Sequence, residues 1–134
     1  MLDCLILGDS IAVGTHQFKP ECAVYAKGGW NSRQWNKKFI DKDDINIYAK
    51  TVIISLGTND HKGIHTYAEL KKMRMEVRAR QVFWIMPAIK PDIQQVVQQL
   101  AEEHGDTILP IKNLQKDGIH PSWAGYKKIV EETK

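Results

Sequence analysis

Two cysteines, Cys4 and Cys22, are all that this 134-residue chain contains, too few for a disulfide scaffold. They read as small buried apolar side chains, one inside the first apolar run and one at the start of the second. No apolar run approaches the ~20 residues of a spanning helix, so membrane insertion is not expected. Met1-Leu2-Asp3-Cys4 has no positive n-region, so no secretory leader is visible and a cytoplasmic location is the default expectation. Neither charge sign dominates: 19 Lys and Arg stand against 16 Asp and Glu, a formal net charge of +3. The densest basic stretch, Lys71 to Arg80, is interleaved with Met73, Met75, Glu76 and Val77 and reads as the wet face of a helix. It lacks the aromatic interleaving of a nucleic-acid groove, so nucleic acid is not an expected partner. Repeats, low-complexity tracts and linkers are also missing, and a chain of this length can bury one core. A single domain over residues 1–134 is expected.

What is present is an alternation of apolar runs with helical patterns, the mark of strand–helix–strand units on a parallel sheet. Leu2 to Leu7 is nearly all apolar, as suits a strand buried on both faces. Cys22 to Ala26, Thr51 to Leu56, Gln81 to Met86 and Thr107 to Leu109 repeat the theme. Thr66-x-x-Glu69 has the form of a capping box ahead of Leu70, Met73 and Val77 at helical spacing. Pro91 suits a first helical turn, with Ile93, Val96, Val97 and Leu100 as the apolar stripe and Gly105 as terminator. A last helix is expected from about Ser122, turning Tyr126, Ile129 and Val130 inward. Five strands and five helices fill the chain.

In an open parallel sheet, ligands bind beyond the carboxyl ends of the strands. There the sequence collects Ser10 after the first strand, Gly28 and Gly29 after the second, Gly57-Thr58-Asn59-Asp60 after the third, and Asp117-Gly118-Ile119-His120 after the fifth. Singly, each is ordinary turn and capping chemistry. Together they supply a hydroxyl nucleophile, a base for it and a carboxylate to orient that base. The order Ser, Asp, His matches that of α/β-hydrolases, but Gly8-Asp9-Ser10-Ile11-Ala12 is not a G-x-S-x-G elbow. A different fold must present this serine.

These motifs resemble those of the SGNH hydrolase superfamily, GDSL branch. Gly8-Asp9-Ser10-Ile11 stands for its first block with Leu replaced by Ile, Gly29 for the second-block glycine, Gly57-Thr58-Asn59-Asp60 for G-x-N-D, and Asp117 to His120 for D-x-x-H. The resemblance spans nearly the whole chain. It implies a three-layer α/β/α sandwich on a five-stranded parallel sheet of flavodoxin-like type. It further implies a catalytic set of Ser10, Asp117 and His120, with the oxyanion bound by the Ser10 N–H, the Gly29 N–H and the Asn59 side-chain amide. Gly28 is the alternative to Gly29. Trp30 and His61 are candidate substrate-binding residues, whereas Trp35 and Phe39, at i and i+4, read as core. Asp9 is expected to tie the loop after the first strand, and Asp60 to cap the turn that follows it. No cofactor is implied, and no metal: His61 and His65 could share a helix face, but no H-E-x-x-H motif or third ligand accompanies them.

Only Asp60 to His65 separates the third motif from the next helix, leaving no insert for a deep acyl tunnel. A short acyl group, acetyl above all, on a carbohydrate or small alcohol is therefore the expected substrate, with a short-chain thioester or lysophospholipid as alternative. An acyltransferase would use the same machinery, and a non-catalytic binding module is the remaining class. So small an enzyme could also need a homo-oligomer or a host assembly to complete its site.

Overall fold

The computed structural model describes residues 1–43 and 45–134. Strands β1 (Leu2–Gly8), β2 (Ala23–Ala26), β3 (Tyr48–Ser55), β4 (Arg78–Ile85) and β5 (Thr107–Leu109) alternate with helices α1 (Ser10–Phe18), α2 (Ser32–Phe39), α3 (Thr66–Met75), α4 (Pro91–His104) and α5 (Trp123–Glu132). All pairings are parallel, in the order β2-β1-β3-β4-β5. Because successive strand residues face opposite sides, Leu5, Leu7, Val52, Ile54 and Trp84 enter one core, and Ile6, Ile53, Phe83 and Ile85 enter the other. Helices α2, α3 and α4 cover the first face, and α1 and α5 the second. The expected three-layer α/β/α sandwich is the observed architecture, and the crossover direction reverses between β1 and β3, where such sheets open a crevice.

The expected elements are found, with boundaries moved where burial is one-sided. Strands β3 and β4 begin earlier than the apolar runs suggest, at Tyr48 and Arg78. Their first residues alternate exposed with buried or half-buried positions, so the signal there is alternation, not a continuous apolar run. The basic stretch Lys71 to Arg80 is no single helix face: α3 stops at Met75, and Arg78 and Arg80 lie on β4. Arg74 turns away from water to a two-point ion pair with Asp106. The capping box also fails. His65 is the N-cap of α3 without a side-chain bond, while the Thr66 hydroxyl is drawn inward to donate to the buried Asp60 carboxylate at 2.8 Å, a charge-assisted bond that takes it away from the helix terminus. Pro91, Gly105 and Ser122 occupy the helix-end positions expected of them.

The largest departure concerns the cysteines. Leu5 pairs with Ala23 across β1 and β2, which sets Cys4 directly opposite Cys22, with their Cα atoms 4.8 Å apart and the sulfurs joined in a disulfide. They are buried, as expected, but not as free thiols. Cross-strand register is invisible in a spacing of 18 residues, and it is register that brings the two together.

Candidate active site

Gly8 ends β1 with φ +140, and a Cβ there would lie 1.8 Å from the Ser55 carbonyl oxygen. Only glycine lets the chain turn this sharply against β3. Asp9 follows as the N-cap of α1, its Oδ1 accepting from the Ile11 N–H at 3.0 Å and the Ser55 hydroxyl at 3.1 Å. It ties the loop, as the sequence suggests. Ser10 is thereby fixed as the first residue of α1, where its N–H has no intrahelical acceptor. Asp9 is fully buried, its Oδ2 has no partner among the described residues, and desolvation pushes its carboxyl up to about 6.

Ser10 Oγ and His120 Nε2 are 2.9 Å apart. His120 Nδ1 donates to Asp117 Oδ2 at 2.7 Å, which leaves Nε2 free to accept the serine proton. Asp117 Oδ1 takes the Ile119 and His120 N–H groups at 2.9 and 3.0 Å. Those backbone donors, then the imidazole, hold its carboxyl down at about 2, so it is ionised at any pH where a neutral imidazole exists. The supporting loop closes on itself: Leu114 bridges to Pro121, and Gln115 bonds the His120 and Pro121 carbonyls.

Opposite this relay, Gly29 has φ +82 and its N–H meets no acceptor among the described residues. Gly29 lines the same cleft as Ser10, Asn59 and His120, whereas Gly28 does not line it and has an ordinary φ. Asn59 Nδ2 donates one proton to the Trp30 carbonyl at 2.9 Å and keeps a second, since an amide nitrogen carries two. The Asp60 carboxylate does not cap its own turn. It reaches α2 and α3, accepting from Ser32 N–H at 2.8 Å, Ser32 Oγ at 2.6 Å and Thr66 Oγ1 at 2.8 Å, and so pins the Asn59 loop from beneath.

The cleft holds about 540 Å³ and is completed by Thr58, Ile89, Lys90 and Ile119, none of which the motifs single out. Thr58 and Ile119 occupy variable positions of G-x-N-D and D-x-x-H, within reach of the motifs; Ile89 and Lys90 precede Pro91 with no signal at all. Two candidates fall outside the cleft. The Trp30 indole packs toward Phe39, with ring centroids 6.2 Å apart, and lines a separate surface groove with Gln34, Lys37, Lys38 and Lys42. Its backbone, not its ring, serves the site. His61 is exposed in a turn, its Nδ1 accepting from the Gly63 N–H, and neither it nor His65 lies on a helix. Trp35 is fully buried against Phe39, as expected of core.

No family profile matches the sequence, and no curated protein matches it. Solved structures do. A member of the lipolytic protein G-D-S-L family from Veillonella parvula is similar at a TM-score of 0.67 and 13% identity, over 98% of this chain and 96% of that one. The C-terminal catalytic domain of Streptococcus pneumoniae peptidoglycan O-acetyltransferase A, solved with a methylsulfonyl adduct, gives 0.66 and 16% over 98% and 92%. A carbohydrate esterase of family 3 from Talaromyces cellulolyticus gives 0.56 and 15% over 98% and 94%. At these identities the likeness is one of backbone, and what it establishes is that this chain has the fold of the G-D-S-L, or SGNH, hydrolases.

Proposed function

We propose that the chain is a serine ester hydrolase of the SGNH superfamily, removing acetyl or another short acyl group from a carbohydrate or small alcohol. The observation that carries this reading is the convergence of the Ser10–His120–Asp117 relay with Gly29 and Asn59 on one open cleft. In it, Ser10 Oγ attacks the acyl carbonyl as its proton passes to His120 Nε2, and ionised Asp117 stabilises the imidazolium. The carbonyl oxygen becomes an oxyanion within reach of the Ser10 N–H, the Gly29 N–H and the free Asn59 Nδ2 proton. Collapse expels the alcohol, which takes the proton from His120, leaving an acyl-serine. Water then attacks the acyl-serine with His120 again as base, and the carboxylic acid and Ser10 are released.

The acyltransferase reading differs only in the last step, where an alcohol replaces water. The similarity to an O-acetyltransferase domain keeps it as the second choice. Among the described residues no helix is long and apolar enough to cross a membrane. The Cys4–Cys22 disulfide weighs against the cytoplasmic expectation, because cytosolic thiols are kept reduced; an oxidising compartment fits better. The activity is tested with p-nitrophenyl esters from acetate to octanoate. Acetate is expected to be the best substrate, with turnover abolished in Ser10→Ala and kcat down roughly a hundredfold or more in Asn59→Ala, the usual cost of losing one oxyanion donor. Preference for octanoate would overturn the short-acyl assignment, and undiminished turnover in Ser10→Ala the nucleophile.

A further inference from the structure

We infer that Lys90 is a positioning residue of the oxyanion site: its ammonium clamps the carbonyls on either side of Asn59 and so sets where the Asn59 amide points. The inference rests on the proposed ester hydrolysis. Lys90 Nζ donates to the Thr58 carbonyl at 2.8 Å and the Asp60 carbonyl at 2.7 Å. The Asp60 N–H closes this turn onto the Gly57 carbonyl at 3.0 Å, which uses up the turn's own hydrogen bond and leaves the Thr58 and Asp60 carbonyls for another donor. Thr58 and Asp60 are buried, and a buried carbonyl needs a partner. Lys90 supplies both.

Nothing local favours a lysine in this posture. It has φ +65 and ψ 84, the left-handed region that non-glycine residues rarely enter. The following Pro91 would ordinarily hold it extended. It is also the N-cap of α4, makes no side-chain cap, and places a cation at the positive end of the helix dipole, the wrong sign for that helix. Backbone strain of this kind persists where surrounding structure requires it, and what it achieves here is the reach across to the Asn59 turn. With the Trp30 carbonyl holding Asn59 Nδ2 and Ser32 and Thr66 holding the Asp60 carboxylate, Lys90 adds a restraint on the turn from the α4 side. Both donated bonds go to backbone, so Lys90 acts through Asn59 and not as a nucleophile.

The test compares Lys90→Met, Lys90→Arg and Lys90→Gly on p-nitrophenyl acetate, with melting temperatures. Lys90→Gly relieves the positive φ, which offsets part of the cost of leaving the Thr58 and Asp60 carbonyls without the ammonium, so among the three it is the variant best suited to fold without the clamp. Lys90→Met and Lys90→Gly are expected to lose at least tenfold in kcat with KM within about threefold, and Lys90→Arg to retain more of kcat than either. Native kcat in Lys90→Gly, or a loss that falls in KM alone, would overturn the inference. A readout independent of turnover separates it from the esterase reading: the Asn59 side-chain amide resonances, assigned through Asn59→Ala, are expected to shift and broaden in Lys90→Gly. Unchanged resonances would overturn the clamp even in an active enzyme, whereas shifted resonances in a protein without esterase activity would uphold the clamp and sink the esterase.

Discussion

Asp9 sits next to Ser10, the proposed nucleophile, yet takes no part in the relay, and its burial has a thermodynamic signature. Its carboxyl titrates at about 6 in the fold against 3.8 in the unfolded chain. Between those values the unfolded chain releases the proton and the folded one keeps it, so this group makes stability fall as pH rises through the window and leaves it level above about 6. The size is on the order of 3 kcal/mol at neutral pH. Asp9→Asn keeps an Oδ1 acceptor for Ile11 and Ser55 and removes the titration. Its melting temperature relative to the native protein is therefore expected to rise between pH 4 and pH 7, and a pH-independent difference would refute the burial argument. Asp117, held at about 2, acts only below this range. At this scale the sequence was informative wherever a short motif at a strand end carries a residue that the fold brings to the cleft, as with Ser10, Gly29, Asn59 and His120, with Asp117 bonded to His120 behind it. It was silent on Lys90, since a clamp across 30 residues leaves no local pattern, and on Trp30, whose ring is claimed by Phe39.

Elements were legible to the extent that their apolar pattern was clean. Strand β1 carries a nearly continuous apolar run and helix α4 an apolar stripe at helical spacing, and both lie where expected, whereas β3 and β4 start on exposed residues and hide their beginnings. The Thr66 hydroxyl shows how a tertiary partner overrides a local motif, since only the folded chain brings Asp60 to it. The same limit applies to Cys4 and Cys22, which are joined by the register of β1 against β2. Closing a loop of this length restricts the unfolded chain by ~3 kcal/mol in the loop-entropy picture. Cys4→Ser/Cys22→Ser is expected to unfold at distinctly lower denaturant concentration than the native protein. Native protein purified without reductant should show no free thiol under denaturing conditions. Two titratable thiols, or equal stability of the double variant, would contradict the bond.

Across the whole molecule, one rim of one sheet gathers residues from β1, β2, β3 and the segment after β5, and that gathering is what a parallel sheet with short connections does. The 2-1-3-4-5 strand order places Ser10 and Asn59 just after neighbouring strands, at the point where the crossovers diverge, so the proposed nucleophile and oxyanion donor are adjacent by topology, without an elbow motif. The cleft at that rim is open, the shape on which the proposed short acyl group on a larger alcohol rests. The proposed mechanism requires Ser10 to be an activated nucleophile. Incubation with methanesulfonyl fluoride followed by mass spectrometry measures this directly: a single adduct at Ser10 in the native protein, none in Ser10→Ala and much slower labelling in His120→Ala are expected. An unlabelled native protein, or labelling that persists at the same rate without His120, would contradict it.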